Sequence, residues 1–385
     1  MKRLRTASTK SLIVLGVAVL VVAISGTAIA VAAKSDGPVP PAKPLTQALH
    51  DALAAPEPAG VTARISFTNN LFPSGALGIN GSPLMTSGSG RLWLTNDGHG
   101  RLELQSDAGD AQVVWGDGHI SVYDASSNTV YKATFAPKTT TQDTQTPPTV
   151  EEIQSFLDKL GQDATISDAQ PTNVAGQPAY RVTVSPKHDG GLLGQAELAW
   201  DTAQGVPLHV AIYAQGSSTP ALALTATEIS YGPVAASDVN VAPPASAKVV
   251  DLSGATGSGG GSNEASAVTG LAAVQAAASF PVSAPDTLVG LPRQDVRLVG
   301  PSDDRKAIVV YGHGLGAIVV VESAAQSDKS SGVAPLPSVA IDGATGHELA
   351  TQLGTAVLWQ RGGVDYVLAG SVPPAAAEAA ARQIG

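Results

Sequence analysis

The side chains able to do chemistry are few and scattered. Seven histidines are present, His50, His99, His119, His188, His209, His313 and His347, and there is no cysteine. No two of these histidines stand four residues apart and no H-E-x-x-H run occurs, so helical zinc-ligand spacing is missing. Several abut glycines, which reads as solvated histidines in turns. Without cysteine the chain has no thiol nucleophile, thiolate metal site, disulfide or lipobox. No G-x-S-x-G elbow is found. Gly312-His313-Gly314-Leu315-Gly316 has the glycines of a phosphate loop but neither the full spacing nor the Lys-Ser/Thr ending, and reads as a hairpin turn. The acidic pairs Glu151-Glu152 and Asp303-Asp304 could be imagined as general acid and base. Adjacent residues point in different directions, so solvated faces are the better reading. The expectation is a non-enzyme, with no catalytic residue, metal or cofactor.

Charge narrows the partners. Setting aside Lys2, Arg3, Arg5 and Lys10, all of which precede Ala33, the rest of the chain has 18 basic against 32 acidic groups, a net of −14. Nucleic acid and anionic headgroups both ask for a basic footprint, so neither is expected as a main partner. Aromatic residues make up 4% of the chain, so a core must be built from small, β-branched and leucine side chains, as in a large sheet.

The N-terminus is a basic stretch followed by Ser11 to Ala33, 23 residues without a charge. As a helix these would span roughly 34 Å at about 1.5 Å per residue, enough for a bilayer core of about 30 Å. The charge asymmetry puts Met1 in the cytoplasm and the bulk of the chain outside. An uncleaved single-pass anchor and a cleaved signal peptide both fit. Ala28-Ile29-Ala30 and Val31-Ala32-Ala33 offer cleavage ends, while the length of the run favours the anchor.

Residues 34–44 form a Pro-rich spacer, and 45–252 a mainly β domain. Leu45 to Ala54 has a helical stripe of Leu45, Ala48, Leu49 and Leu53. Val61, Ala63, Ile65 and Phe67 then alternate with polar residues, and GRLWLT, RLELQS, AQVVWG, HISVYD and TVYKATF follow as a meander of short strands. Thr149 and the glutamates after it open an inserted helix with apolar Val150, Ile153, Phe156, Leu157 and Leu160. Strands resume with AYRVTVSP, GQAELAWDT, PLHVAIYAQ and ALALTATEISYG, the second and third joined by a hairpin turn over Asp201 to Val206. Residues 253–262 are a Gly/Ser linker. Residues 263–385 form a smaller α+β domain: a helix over Glu264 to Phe280, strands KAIVVYG, GAIVVVES, SVAIDG, TAVLWQRG and VDYVLAGS, and a closing helix over Pro374 to Ile384.

An antiparallel sheet with one apolar face must cover it. Two short helices are few for some nine strands. The residues therefore allow either a half-barrel with a hydrophobic cavity under a helical lid or a curved sheet packed fully on its helices. In the first case Ile65, Phe67, Leu92, Leu94, Leu102 and Leu104 line the cavity with Leu198, Leu208, Val210 and Ile212, and Ile153, Phe156, Leu157 and Leu160 form the underside of the lid.

The stretch GRLWLTNDGHGRLELQSDAGDAQVVWGDGHISVYDASSNTVYKATF resembles the signature region of the LolA-like superfamily. So do VAGQPAYRVTVSP, AELAWDTAQGVPLHVAIYA and ALALTATEISYGP further on. The resemblance covers residues 45–252 and implies an unclosed antiparallel half-barrel with a helical lid and a hydrophobic cavity. Such proteins carry lipoproteins, bind lipids, or regulate extracytoplasmic sigma factors. The order of domains, with a smaller unit after a flexible link, is most similar to the MucB/RseB regulators. The resemblance thus implies a carrier or chaperone for an acyl chain or lipidated protein or, alternatively, a regulator that senses envelope state and docks on a membrane-bound anti-sigma factor. The missing lipobox cysteine separates the chain from the lipid-anchored members, and an uncleaved anchor would prevent shuttling between membranes.

Overall fold

The computed structural model describes residues 37–71, 83–107, 109–134, 147–187, 191–251, 268–301, 305–325 and 336–384. The apolar run Ser11 to Ala33 and the linker 253–262 lie outside them. Among the described residues no helix is long and apolar enough to cross a membrane. The chain divides into two compact units, the second holding 268–384 together with 191–193.

The first unit is one open sheet of thirteen strands. Its first half runs β1 (Gly60–Asn69), β2 (Gly88–Thr95), β3 (Gly100–Ser106), β4 (Gly109–Gly116), β5 (His119–Asp124) and β6 (Thr129–Thr134). These pair in sequence as an antiparallel meander. The second half has β7 (Ala164–Ile166), β8 (Gln170–Val174), β9 (Gln177–Pro186), β10 (Leu193–Asp201), β11 (Pro207–Ala214) and β12 (Pro220–Tyr231). β1 and β12 pair antiparallel and join the halves, with an irregularity between Arg64 and Ile65. The sheet departs from the all-antiparallel expectation at one edge, where β13 (Lys248–Asp251) lies parallel to β6. The sheet ends at β13 and β7 without closing on itself, so the unclosed form holds.

Alternation brings one residue set to one face. Ala63, Leu92, Leu102, Val113 and Val122 stand opposite one another across five strands. Phe67, Leu224 and Val210 continue the same face across β12 and β11. Gly90 lies between Ile65 and Leu104 in the next row. A Cβ there would fall 1.7 Å from the Glu103 carbonyl oxygen, so the close approach of the strands requires glycine.

Three helices belong to this unit among the described residues, two of them longer than one turn. α1 (Leu45–Ala54) is held to the sheet by the residues around it: the Tyr180 hydroxyl donates to the Pro41 carbonyl at 2.6 Å and the Asn173 amide to the Pro38 carbonyl at 2.8 Å. α2 (Val150–Asp163) starts with a capping box, in which the Glu152 N–H donates to Thr149 Oγ1 at 3.2 Å and the Thr149 N–H to Glu152 Oε2 at 3.0 Å. That reciprocal pair satisfies two otherwise orphaned donors and fixes the start the sequence indicated. A third, single-turn helix, α3 (Ala236–Val239), follows β12.

The second unit carries a nine-stranded sheet. It contains β14 (Val268–Thr269), β15 (Thr287–Leu288), β16 (Leu291–Val299), β17 (Lys306–Tyr311), β18 (Ile318–Ala324), β19 (Ser338–Ile341), β20 (Ala344–Thr351), β21 (Gly354–Arg361) and β22 (Val364–Gly370). The helix expected over 264–280 is shorter, α4 (Leu271–Ala277), because Val268 and Thr269 pair with β16. The closing helix α5 (Pro374–Ala381) begins with proline in its first turn. Val274 of α4 and Ala377, Ala380 and Ala381 of α5 are fully buried in one core with Val309, Ile318, Val320 and Leu368 of the sheet. The 312–316 glycine stretch is the turn between β17 and β18, as read.

Leu104 is 1% exposed in the core of the first sheet. Leu104→Ala should cost roughly 2–5 kcal/mol of the first unit's stability in urea unfolding, as buried leucine truncations do.

Candidate ligand site

The fourteen apolar residues expected to line a cavity and its lid are placed in distinct surroundings. Ile65, Phe67, Leu102 and Leu104 are buried in one cluster with Ala63 and Val113, and Leu92 packs half-buried against it. Leu94, Val210 and Ile212 are half-buried. Leu208 is buried in a second cluster with Ala179 and Ala226. Leu198 joins a third, where Ala48 of α1 packs on Tyr180, Val182 and Trp200. Within it the Tyr180 and Trp200 rings lie 6.2 Å apart at 48°. On α2, Ile153 is buried at 6% exposure, Leu157 and Leu160 are half-buried, and Phe156 is 49% exposed. The expected lid underside is therefore split: Phe156 stands at its exposed flank rather than beneath it.

Where α1, α2 and β7 meet, the first unit has an open groove of about 600 Å³. Leu45, Leu157, Ala164 and Ile166 supply apolar walls, and Gln154, Asp158, Ser167, Asp168 and Lys187 the polar rim. Leu45 and Ile166 also pack against the Tyr180–Trp200 cluster, so the groove abuts the apolar interior. The His50 ring nitrogen Nδ1 lies 2.9 Å from the Pro148 carbonyl oxygen and couples α1 to the start of α2. Lys187 donates to the Gly161 carbonyl at the end of α2. The sequence pointed to Leu157 but not to β7 or the rim, since a three-residue strand has no readable period.

Several histidines are not the turn residues expected: His50 lies in α1, and His119, His209 and His347 lie in strands. His209 lies in β11 with 15% of its side chain exposed. Its Nδ1 is 2.7 Å from Thr225 Oγ1 and its Nε2 3.5 Å from Glu197 Oε2. The Tyr213 hydroxyl donates to the same carboxylate at 3.3 Å. His209 first, and then its charge and that of Arg181, hold the Glu197 carboxyl below its ordinary value. Burial, reinforced by Glu197, pushes the Tyr213 phenol up to about 12. Pairing on adjacent strands satisfies these groups, and a structural polar network accounts for them.

His99 is held between two carboxylates, Asp97 at 3.0 Å and Asp117 at 3.2 Å, beside a smaller recess of about 310 Å³ bounded by Pro233, Val234 and Val239. Among the described residues no group of three or more His, Asp or Glu side chains gathers to hold a metal ion.

No family model matches the chain. No curated protein matches it. Among solved structures it is similar to the Pseudomonas aeruginosa MucA/MucB complex, at 16% identity over 89% of this chain and 98% of that one, with a TM-score of 0.43. It is also similar to MucB in complex with MucA(peri), at 16% identity over 88% and 96% of the two chains, TM-score 0.42. A LolA superfamily protein from Nitrosomonas europaea covers 52% of this chain with 99% of its own length, at 7% identity and a TM-score of 0.22.

Hydrogen bonds that His99 donates to Asp97 and then to Asp117 raise its pKa above the ordinary 6.5. A raised imidazole contributes stability that is complete below the unfolded value and lost as pH rises through the folded one. Between about pH 6 and 8.5 the wild type should therefore lose protection of the 95–100 turn in hydrogen exchange, while His99→Gln should show no such pH-dependent loss.

Proposed function

We propose that the first unit is a non-catalytic carrier or chaperone that binds an acyl chain, as a lipid or as the modification of a protein. The observation that carries this reading is the groove between α1, α2 and β7, where Leu45, Leu157, Ala164 and Ile166 form apolar patches within a largely polar lining and Leu45 and Ile166 pack against the Tyr180–Trp200 cluster. Clefts of roughly 300–1,000 Å³ with apolar walls and a few polar groups are the usual form of small-molecule sites. Lys187 on the rim supplies a donor for a headgroup. The chain's resemblance to LolA-like proteins in residues 45–252 supports the same reading. The Ser11 to Ala33 run would place the protein outside the cytoplasm, tethered if uncleaved and secreted if cut.

A second reading, a regulator that docks on a membrane-bound anti-sigma factor, is favoured by the outer face of the second sheet. There Ile308, Val321, Val367 and Leu358 stand opposite one another across β17, β18, β22 and β21. Val367 and Leu358 are 38% and 37% exposed.

Native mass spectrometry with lipid extraction on residues 34–385 decides the first reading. A stoichiometric acyl-bearing ligand is expected, and Leu157→Asp, which puts a charge into the groove wall, should weaken its retention at least about tenfold. A clean apo mass that takes up no added lipid would sink the carrier. Capture of a membrane-protein partner that Val367→Asp abolishes would then favour the regulator.

A further inference from the structure

The inner face of the second sheet is apolar at Ala307, Val309, Ile318, Val320 and Leu368, each 0% exposed. Glu322 stands among them on β18, opposite Ala307 of β17 and Tyr366 of β22, and is itself 0% exposed. Its two oxygens are unequally treated. Oε2 accepts the Ser283 backbone N–H at 2.9 Å, whereas Oε1 has no hydrogen-bond partner. The hydroxyl of Tyr311, also fully buried, has none either.

An ionised carboxylate carries about four acceptor positions and is costly to bury without a counter-charge. The groups around Glu322 do not supply one. Tyr311 and Tyr366 face it as neutral phenols, both raised chiefly by burial. Arg293, which bears on Tyr311, pairs with Asp286 at 2.9 Å. Arg361, which bears on Tyr366, donates to the Ile341, Asp342 and Ile384 carbonyls. Burial pushes the Glu322 carboxyl up to about 7, against an opposing backbone hydrogen bond from Ser283.

Ser283 belongs to the stretch between α4 and β15, which closes one side of this core through Phe280 and Val282, 7% and 9% exposed. Three side chains hold that stretch: Gln275 donates to the Val282 carbonyl at 3.3 Å, Arg293 donates to the Ala284 carbonyl, and Glu322 accepts from Ser283. Of these, Glu322 alone can change charge near neutrality.

We infer that Glu322 is a protonation latch on residues 280–284: neutral, it lets Phe280 and Val282 stay packed on the sheet, and ionised, it admits water and releases them. The folded pKa lies above the ordinary carboxylate value of 4.5. The latch is therefore fully closed below that value and opens as pH rises through neutrality. The direction is loosening in mild alkali, the reverse of acid denaturation by salt-bridged carboxylates.

Hydrogen exchange on the full chain, corrected for intrinsic rates, tests this across about pH 5.5 to 8.5. Peptides covering 280–285 should lose protection about tenfold or more in the wild type and stay level in Glu322→Gln, whose amide oxygen keeps the Ser283 bond without a charge. Equal loss in both proteins would overturn the latch. Should the variant fail to fold, the wild-type Glu322 carboxyl can be followed by carbon-13 NMR. A midpoint near neutrality supports the latch, and one near 4.5 refutes it.

Discussion

The seam between β1 and β12 is the constraint on which the first unit rests. It brings Val61 opposite Tyr231 and Phe67 opposite Leu224, residues from opposite ends of the domain. Each half alone is a sheet with an exposed edge and an uncovered apolar face. Joined, they make one continuous surface on which Ile65 and Phe67 bury against strands from both directions. A pairing this distant in sequence must overcome loop-closure entropy before any contact repays it, so this seam is expected to form late. A one-residue slip would turn Ile65 and Phe67 to the opposite face and expose them.

The two halves then differ in a way that creates the groove. β2 to β6 are regular, hairpin-linked and evenly paired. β7 to β10 follow directly on α2 and begin with the short strands β7 and β8, and α1 is tied against them through Tyr180. The helices meet at that irregular end, and the hollow between them is walled by leftover apolar side chains and rimmed by polar ones. Phe156, outside the hollow and half exposed, is an apolar residue left to solvent by the same helix that contributes Leu157 to the wall. The second unit solves the covering problem differently: α4 and α5 pack the inner face of its sheet, with Glu322 as its one fully buried carboxylate among the described residues.

Much of this was legible because the signals were local. α1 occupies the range its Leu45–Leu53 stripe indicated, and Thr149 with Glu152 marks the start of α2 through a capping box. Alternation from Val61 to Phe67 named the buried face of β1. What escaped detection lacks a period. β7 has three residues. β16 carries Arg293, Gln294 and Asp295 inside a strand, and β20 alternates too weakly to register. The parallel β13 follows a Pro-rich stretch that reads as a loop. His209 was legible as a residue of the strand PLHVAIYAQ, and only strand pairing reveals that Glu197 and Thr225 flank it. Glu322 was missed because GAIVVVES is legible only as a strand, and it is the register that turns that glutamate inward.

The central claim is that the groove of the first unit takes an acyl chain. The most direct measurement is photocrosslinking with a fatty acid that bears a diazirine at its tail, followed by peptide mapping. The account predicts labels on α1, α2 and residues 164–168, lost on competition with unlabelled lipid. Labels confined to the second unit, or spread over both without competition, would contradict it.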